Sequence, residues 1–115
     1  MEKSIIQQKS LQFARSIYKI CKSLESQKEF IIANQLLRSG TSVGANIFES
    51  YFSESTNDYI HKLSISLKEV NETLYWLEFS KLENIIDENV FNKLNYDGIE
   101  IRKILISIIK KLKQK

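Results

Sequence analysis

The chain has 115 residues, 43% of them hydrophobic and 27% charged, a net charge of +3, no proline, three glycines and one cysteine. That length supports one domain over residues 1–115, and the balance of apolar and charged side chains excludes a disordered tail. The scarcity of turn-forming residues excludes a many-stranded β fold, and the lone Cys21 excludes an intrachain disulfide or a cysteine-rich zinc site.

The opening residues, MEKSIIQQKS, hold no apolar stretch of the secretory kind. The longest apolar run, ILISII at 104–109, is far short of a membrane span. A cytoplasmic protein without membrane contact is therefore expected. The first helical pattern runs Ile6, Ser10, Phe13, Ile17, Ile20 and Leu24, with spacings that alternate between four and three. Cys21 reads as a small apolar core residue. ESQKE (25–29) is a polar connection.

The next stretch, LLRSGTSVGANIFES, carries Gly40 and Gly44 among hydroxyl residues. A phosphate-binding loop would need a lysine directly after the second glycine, or three glycines after a strand. Ala45 follows Gly44 here, and no strand pattern precedes it. Read instead as one helix from about 29 to about 52, its seam is Phe30, Ala33, Leu37, Gly40, Gly44, Ile47 and Tyr51. Both glycines then face a neighbouring helix that can come close, a reading that tolerates a kink at Ser39–Thr41. Asn46 and Glu49 lie beside the seam as a polar lock within reach of Arg38 or Thr41.

SESTND (53–58) offers Ser55 or Thr56 as a helix N-cap. The third pattern is Ile60, Leu63, Leu67, Val70, Leu74 and Leu77. ENIIDEN (83–89) leads into the fourth, with Asp87 as its cap. That last pattern is Phe91, Leu94, Gly98, Ile101, Leu105, Ile108 and Leu112, with Gly98 on the seam. NYDG (95–98) would mark a hairpin between strands, but it falls inside this helical register. Four stripes of this spacing predict an all-α, antiparallel up-and-down four-helix bundle.

More apolar residues remain than one bundle core needs. With Leu67 pointing inward, Ile65 and Trp76 point outward and Phe79 stands beside them. Leu11 and Tyr18 are one heptad apart on the first helix, and Ile99 and Ile106 are one heptad apart on the fourth. These seven residues are expected at an oligomer interface, the competing reading being that splayed helices or the connections cover them within one subunit.

Charge is unevenly spread. Residues 1–48 are net +4, residues 49–100 net −7, and residues 101–115 carry six basic groups and no acid. Arg102, Lys103, Lys110, Lys111, Lys113 and Lys115 form a basic cluster suited to phosphates, unless it only complements the helix dipole. Three arginines among seventeen basic residues argue against base-specific readout. Asp58 and His61 match one carboxylate-x-x-His element, but a di-metal bundle needs two with further glutamates, so neither metal nor cofactor is expected. Glu69 and Glu72 suit ion pairs with lysines of neighbouring helices better than acid–base chemistry.

RSGTSVGANIFES, DYIHKLSISLKEVNETLYWLEF and the isoleucine- and lysine-rich final helix together resemble the bacterial four-helix bundle family of 23S rRNA intervening-sequence proteins. The likeness spans about 13–113 and is most specific at Ser42, Gly44, Asn46, Ile47, Glu49 and the ETLYWL run at 72–77. The family often has a proline near Val43 or Gly44, absent here. The resemblance implies a ring-like homopentamer without catalytic activity. Its relatives among diversity-generating retroelement accessory proteins, which are more basic than this chain, imply binding to nucleic acid and a reverse transcriptase through a basic ring surface. The expectation is thus a non-enzymatic, homo-oligomeric scaffold binding RNA or DNA through lysines. The alternative is a protein-docking or structural ring with no nucleic-acid affinity.

Overall fold

The computed structural model describes residues 4–114, and these form four α-helices and no strand. Helix α1 (Ile5–Ser26) starts with a capping box: the Gln7 amide donates to Ser4 Oγ at 3.2 Å, and the Ser4 amide to Gln7 Oε1 at 3.1 Å. It ends where Lys28 adopts φ 65°, which lets the Glu29 amide reach back to the Leu24 carbonyl at 2.9 Å. Helix α2 (Phe30–Ser50) runs unbroken through Ser39–Thr41 and both glycines.

Helix α3 (Thr56–Leu82) is capped by Ser55, which accepts from the Asp58 amide at 3.0 Å, and Asp58 also places a carboxylate at the positive end of the helix dipole. Its C-terminus repeats the α1 closure: Asn84 has φ 60°, and the Ile85 amide donates to the Ser80 carbonyl at 3.0 Å. Helix α4 (Glu88–Lys113) has Asp87 at its N-cap, without a side-chain hydrogen bond. NYDG continues α4 as helix. Asp97 is drawn into an ion pair with Lys93, one turn earlier at 2.9 Å, and Gly98 is buried.

Each helix packs against its neighbours in the chain, and α1 closes the square against α4. The result is an antiparallel up-and-down bundle measuring 47 × 24 × 21 Å. Phe13, Ile17, Leu24, Leu36, Ile47, Leu63, Leu77, Ile101 and Leu105 are fully buried in one core. Burying each stabilises the fold by about 1.5–3 kcal/mol before entropy is counted.

The observed core departs from the sequence seam in a systematic way. In α2 the buried set is Ala33, Leu36, Ser39, Gly40, Val43, Ile47 and Ser50. Leu37 and Gly44 are only half-buried, and Phe30 and Tyr51, at the helix ends, are exposed. In α3, Ser66, Thr73 and Ser80 are buried while Ile60 and Leu67 are half-buried. The reason is a narrow α2–α3 contact made of small residues. Ser66 Oγ donates to the Val43 carbonyl at 2.8 Å, and Thr73 Oγ1 lies 2.9 Å from Ser39 Oγ. Hydroxyls tolerate burial here because each finds a partner, often a carbonyl one turn back in its own helix. Cys21 replaces Ile20 in the α1 core, and Ile109 displaces Ile108 and Leu112 to half-buried positions in α4.

Candidate functional site

The glycines first. A Cβ built on Gly40 would stand 2.8 Å from Ile17 Cγ2 of α1, and one on Gly44 would stand 3.3 Å from Ser10 Oγ. Both positions face α1. On α4, a Cβ at Gly98 would meet Leu74 Cδ2 of α3 at 2.7 Å and Phe13 Cζ of α1 at 3.4 Å.

Asn46 and Glu49 do not meet Arg38 or Thr41, which corrects the expected polar lock. Asn46 Nδ2 donates to the Ser42 carbonyl of its own helix at 2.8 Å, and Thr41 Oγ1 donates to the Leu37 carbonyl at 2.6 Å. Glu49 forms an ion pair with Lys62 of α3 at 3.0 Å. Arg38 lies two turns from Asn46, about 12 Å along the axis, and turns instead to α3. It donates to Glu69 Oε2 at 3.2 Å and to Glu72, which also accepts from Trp76 Nε1 at 3.0 Å. The partner of the two carboxylates is therefore an arginine rather than a lysine, and the network holds the indole edge in place. Sequence reasoning missed it, although Glu69, Glu72 and Trp76 share one side of α3 at spacings of three and four.

The seven outward apolar residues do not make one stripe. Leu11 and Tyr18 of α1, Phe79 of α3 and Ile106 of α4 are exposed. Ile65, Trp76 and Ile99 are half-buried, and the last two pack against the core. For Trp76 and Ile99 the covering occurs within the subunit, because each lies at the flank of its helix beside a neighbour. Trp76 sits between two rings, Tyr75 at 5.1 Å and Phe79 at 5.9 Å, both edge-on. Leu11 borders an open groove of about 420 Å³ between α1 and α2, lined also by Ala14, Gly44, Ala45, Phe48 and Glu49.

Among the basic residues, Lys103, Lys110, Lys111 and Lys113 are exposed, and Lys115 lies outside the described residues. Lys103 and Lys110, seven apart, share a face of α4 with Ile106. Lys110 and Lys113 rim a shallow α3–α4 groove of about 330 Å³ with Leu67, Ile106 and Ile109. Arg102 donates to Asn71 Oδ1 of α3 at 3.2 Å. No ion pair among the described residues engages any of these five, so no described acid neutralises their charge.

Asp58 and His61 share no site. Asp58 Oδ2 accepts from the Glu54 amide at 3.2 Å, while His61 lines a different depression with Asn57, Ser64 and Lys113. Glu49 borders the α1–α2 groove, so His61, Asn46 and Glu49 do not converge on one pocket. Among the described residues no three histidine, cysteine or acidic side chains are grouped to hold a metal, and no helix is long and apolar enough to cross a membrane.

No functionally curated protein matches the chain. A solved structure from Bacteroides thetaiotaomicron VPI-5482, described as a protein with unknown function from the S23 ribosomal protein family, is 48% identical. It superposes with a TM-score of 0.90 over 92% of this chain and 99% of that one. The model of the 23S rRNA-intervening sequence protein family matches residues 2–107, and the chain belongs to that family.

Proposed function

We propose that this protein is a non-enzymatic, self-assembling scaffold that presents the lysine-rich end of α4 to the phosphate backbone of RNA or DNA. The observation that carries the proposal is the run of exposed basic side chains at Lys103, Lys110, Lys111 and Lys113 on α4, none in an ion pair among the described residues. Lysines on a fixed helical face act as point charges toward phosphate, without the fork that reads base edges. Binding of this kind is backbone-driven and weakens steeply with salt. One subunit offers few such contacts, and a homo-oligomer, on the family's implied pentameric plan, multiplies them. Family membership and the exposed rings on α3 support the self-assembling part.

Titration of a fluorescent single- or double-stranded oligonucleotide tests the proposal. Binding is expected at about 50 mM salt, with more than a tenfold loss of affinity by about 200 mM. A Lys110→Glu, Lys111→Glu, Lys113→Glu variant should abolish it while keeping its helix content. Absence of binding at low salt would leave the second reading, a protein-docking or structural ring, for which the exposed Tyr75 and Phe79 rings speak.

A further inference from the structure

Two exposed faces of the bundle are opposite in charge and level with each other. On α1, Leu11, Arg15, Tyr18 and Lys22 follow spacings of four, three and four, which places them in one outward stripe. Leu11 and Tyr18 are 48% and 51% exposed, Lys22 lies over the Tyr18 ring while pairing with Glu25 at 3.6 Å, and Lys19 flanks the stripe, which leaves Arg15 and Lys19 as its unpaired charges among the described residues. On α3, Tyr75, Phe79 and Leu82 form a stripe of the same spacing, 59%, 37% and 67% exposed. Glu78 stands on one flank of it and Glu83 at its end, while the exposed Lys68 lies one heptad before Tyr75, so the acidic part of the face is its Tyr75–Glu83 end. None of Arg15, Lys19, Glu78 and Glu83 is in an ion pair within the chain among the described residues.

The height match follows from the core. Ile17 of α1 lies against Gly40, and the adjoining Ser39 bonds to Thr73 of α3, so residues 17, 39–40 and 73 share one level of the bundle. Tyr18 is one residue above that level on α1, and Tyr75 two residues above it on α3. The two helices run in the same direction and occupy different corners of the square, separated by α2. Two such faces cannot touch within one chain. They can meet between two copies standing side by side, the basic apolar stripe of one against the acidic aromatic stripe of the next.

We infer that the self-assembly proposed above uses this head-to-tail contact, with the Arg15–Tyr18 face of one copy seated on the Tyr75–Phe79 face of another. The inference rests on that reading and adds the residues and polarity of the contact. A second copy is favoured over a foreign partner because the chain itself carries both halves, matched in charge, spacing and level. A bundle side 47 Å long and 21 Å wide can supply the roughly 800 Å² per partner of a stable contact. Because the two faces differ, a pair of copies leaves the acidic face of one and the basic face of the other free for further copies, and such a contact builds a ring where its rotation closes and an open filament where it does not.

Light scattering on the purified chain at micromolar concentration tests this. The wild type is expected as an oligomer. An Arg15→Glu, Lys19→Glu variant and a Glu78→Lys, Glu83→Lys variant should each fall to the 13.5 kDa mass of one chain with helix content unchanged. An equimolar mixture of the two should reassemble into species larger than one chain, since in an alternating arrangement every contact pairs opposite charges. A monomeric wild type would overturn self-assembly and this contact together. An oligomeric wild type with variants of unchanged mass, or a mixture that stays monomeric, would overturn the contact and leave self-assembly standing. Should a reversal reduce helix content, the milder Arg15→Gln, Lys19→Gln and Glu78→Gln, Glu83→Gln pairs carry the test, with a lowered oligomer fraction expected from each and an unchanged one overturning the contact.

Discussion

Ile17 fills the space that a side chain at Gly40 would need: the closest approach of an added Cβ would be 2.8 Å, to Cγ2. Ile17 is fully buried, so it cannot swing away into solvent. Alanine at position 40 gains about 1 kcal/mol of helix propensity and loses about 1–3 kcal/mol to overpacking. Gly40→Ala is expected to destabilise by up to about 2 kcal/mol on these terms. Gly44→Ala meets Ser10 at 3.3 Å, an adjustment small enough for the propensity gain to offset. Urea midpoints followed by helical circular dichroism, at one protein concentration, should therefore rank Gly40→Ala well below Gly44→Ala.

The Ser66 hydroxyl, bonded to the Val43 carbonyl across the α2–α3 contact, makes a second case. Removing it in Ser66→Ala costs about 1 kcal/mol, the net value of such a bond. Ser66→Leu puts a large side chain where the helices nearly touch and should cost more than Ser66→Ala, although leucine is the better helix former. A Ser66→Leu protein as stable as wild type would mean that the helices can part there without penalty.

Cys21 provides a pH signature. Burial, helped by the nearby Glu25 carboxylate, pushes its thiol from the ordinary 9.0 up to about 11, and its Sγ donates to the Ala33 carbonyl at 3.3 Å. The folded state thus keeps a proton that the unfolded chain releases above pH 9. This contribution to stability is complete below pH 9 and is lost as pH rises toward 11. The informative quantity is a difference: between pH 9 and 11, Cys21→Ala should lose less stability than wild type. Equal slopes would show that the thiol is not shielded.

Lys28 and Asn84 both sit in the left-handed region, at φ 65° and 60°, where they close α1 and α3. Lysine has no local hydrogen bond to repay that conformation, whereas asparagine adopts it more readily. Lys28→Gly should raise stability by about 0.5–1 kcal/mol, with Asn84→Gly giving less. Thermal denaturation of the two single variants would show the order.

The helices were legible because their periodicity is long and little interrupted, and NYDG stayed helical because its register matched the residues around it. The α2–α3 contact was harder to read. Ser66, Thr73 and Ser80 recur every seven residues, a signal as regular as the leucines, yet hydroxyls do not register as core unless their local carbonyl partners are considered. The Arg38 network was hidden for another reason. Its partners are more than thirty positions away, and only the antiparallel alignment of α2 and α3 brings them together. The apolar surplus was visible, but its division among separate faces was not, since a helical wheel describes one rod and not the arrangement of four.

Three of the four helix contacts join elements consecutive in the chain, and the fourth, between α1 and α4, is the least extensive. Hairpins of neighbouring helices need only short loops closed before they can pair, which keeps the entropic barrier low. The meeting of the first and last helices spans nearly the whole chain and brings the smallest reward. Folding should accordingly begin in the α1–α2 and α2–α3 hairpins, and the α1–α4 edge should be the last to close and the first to open.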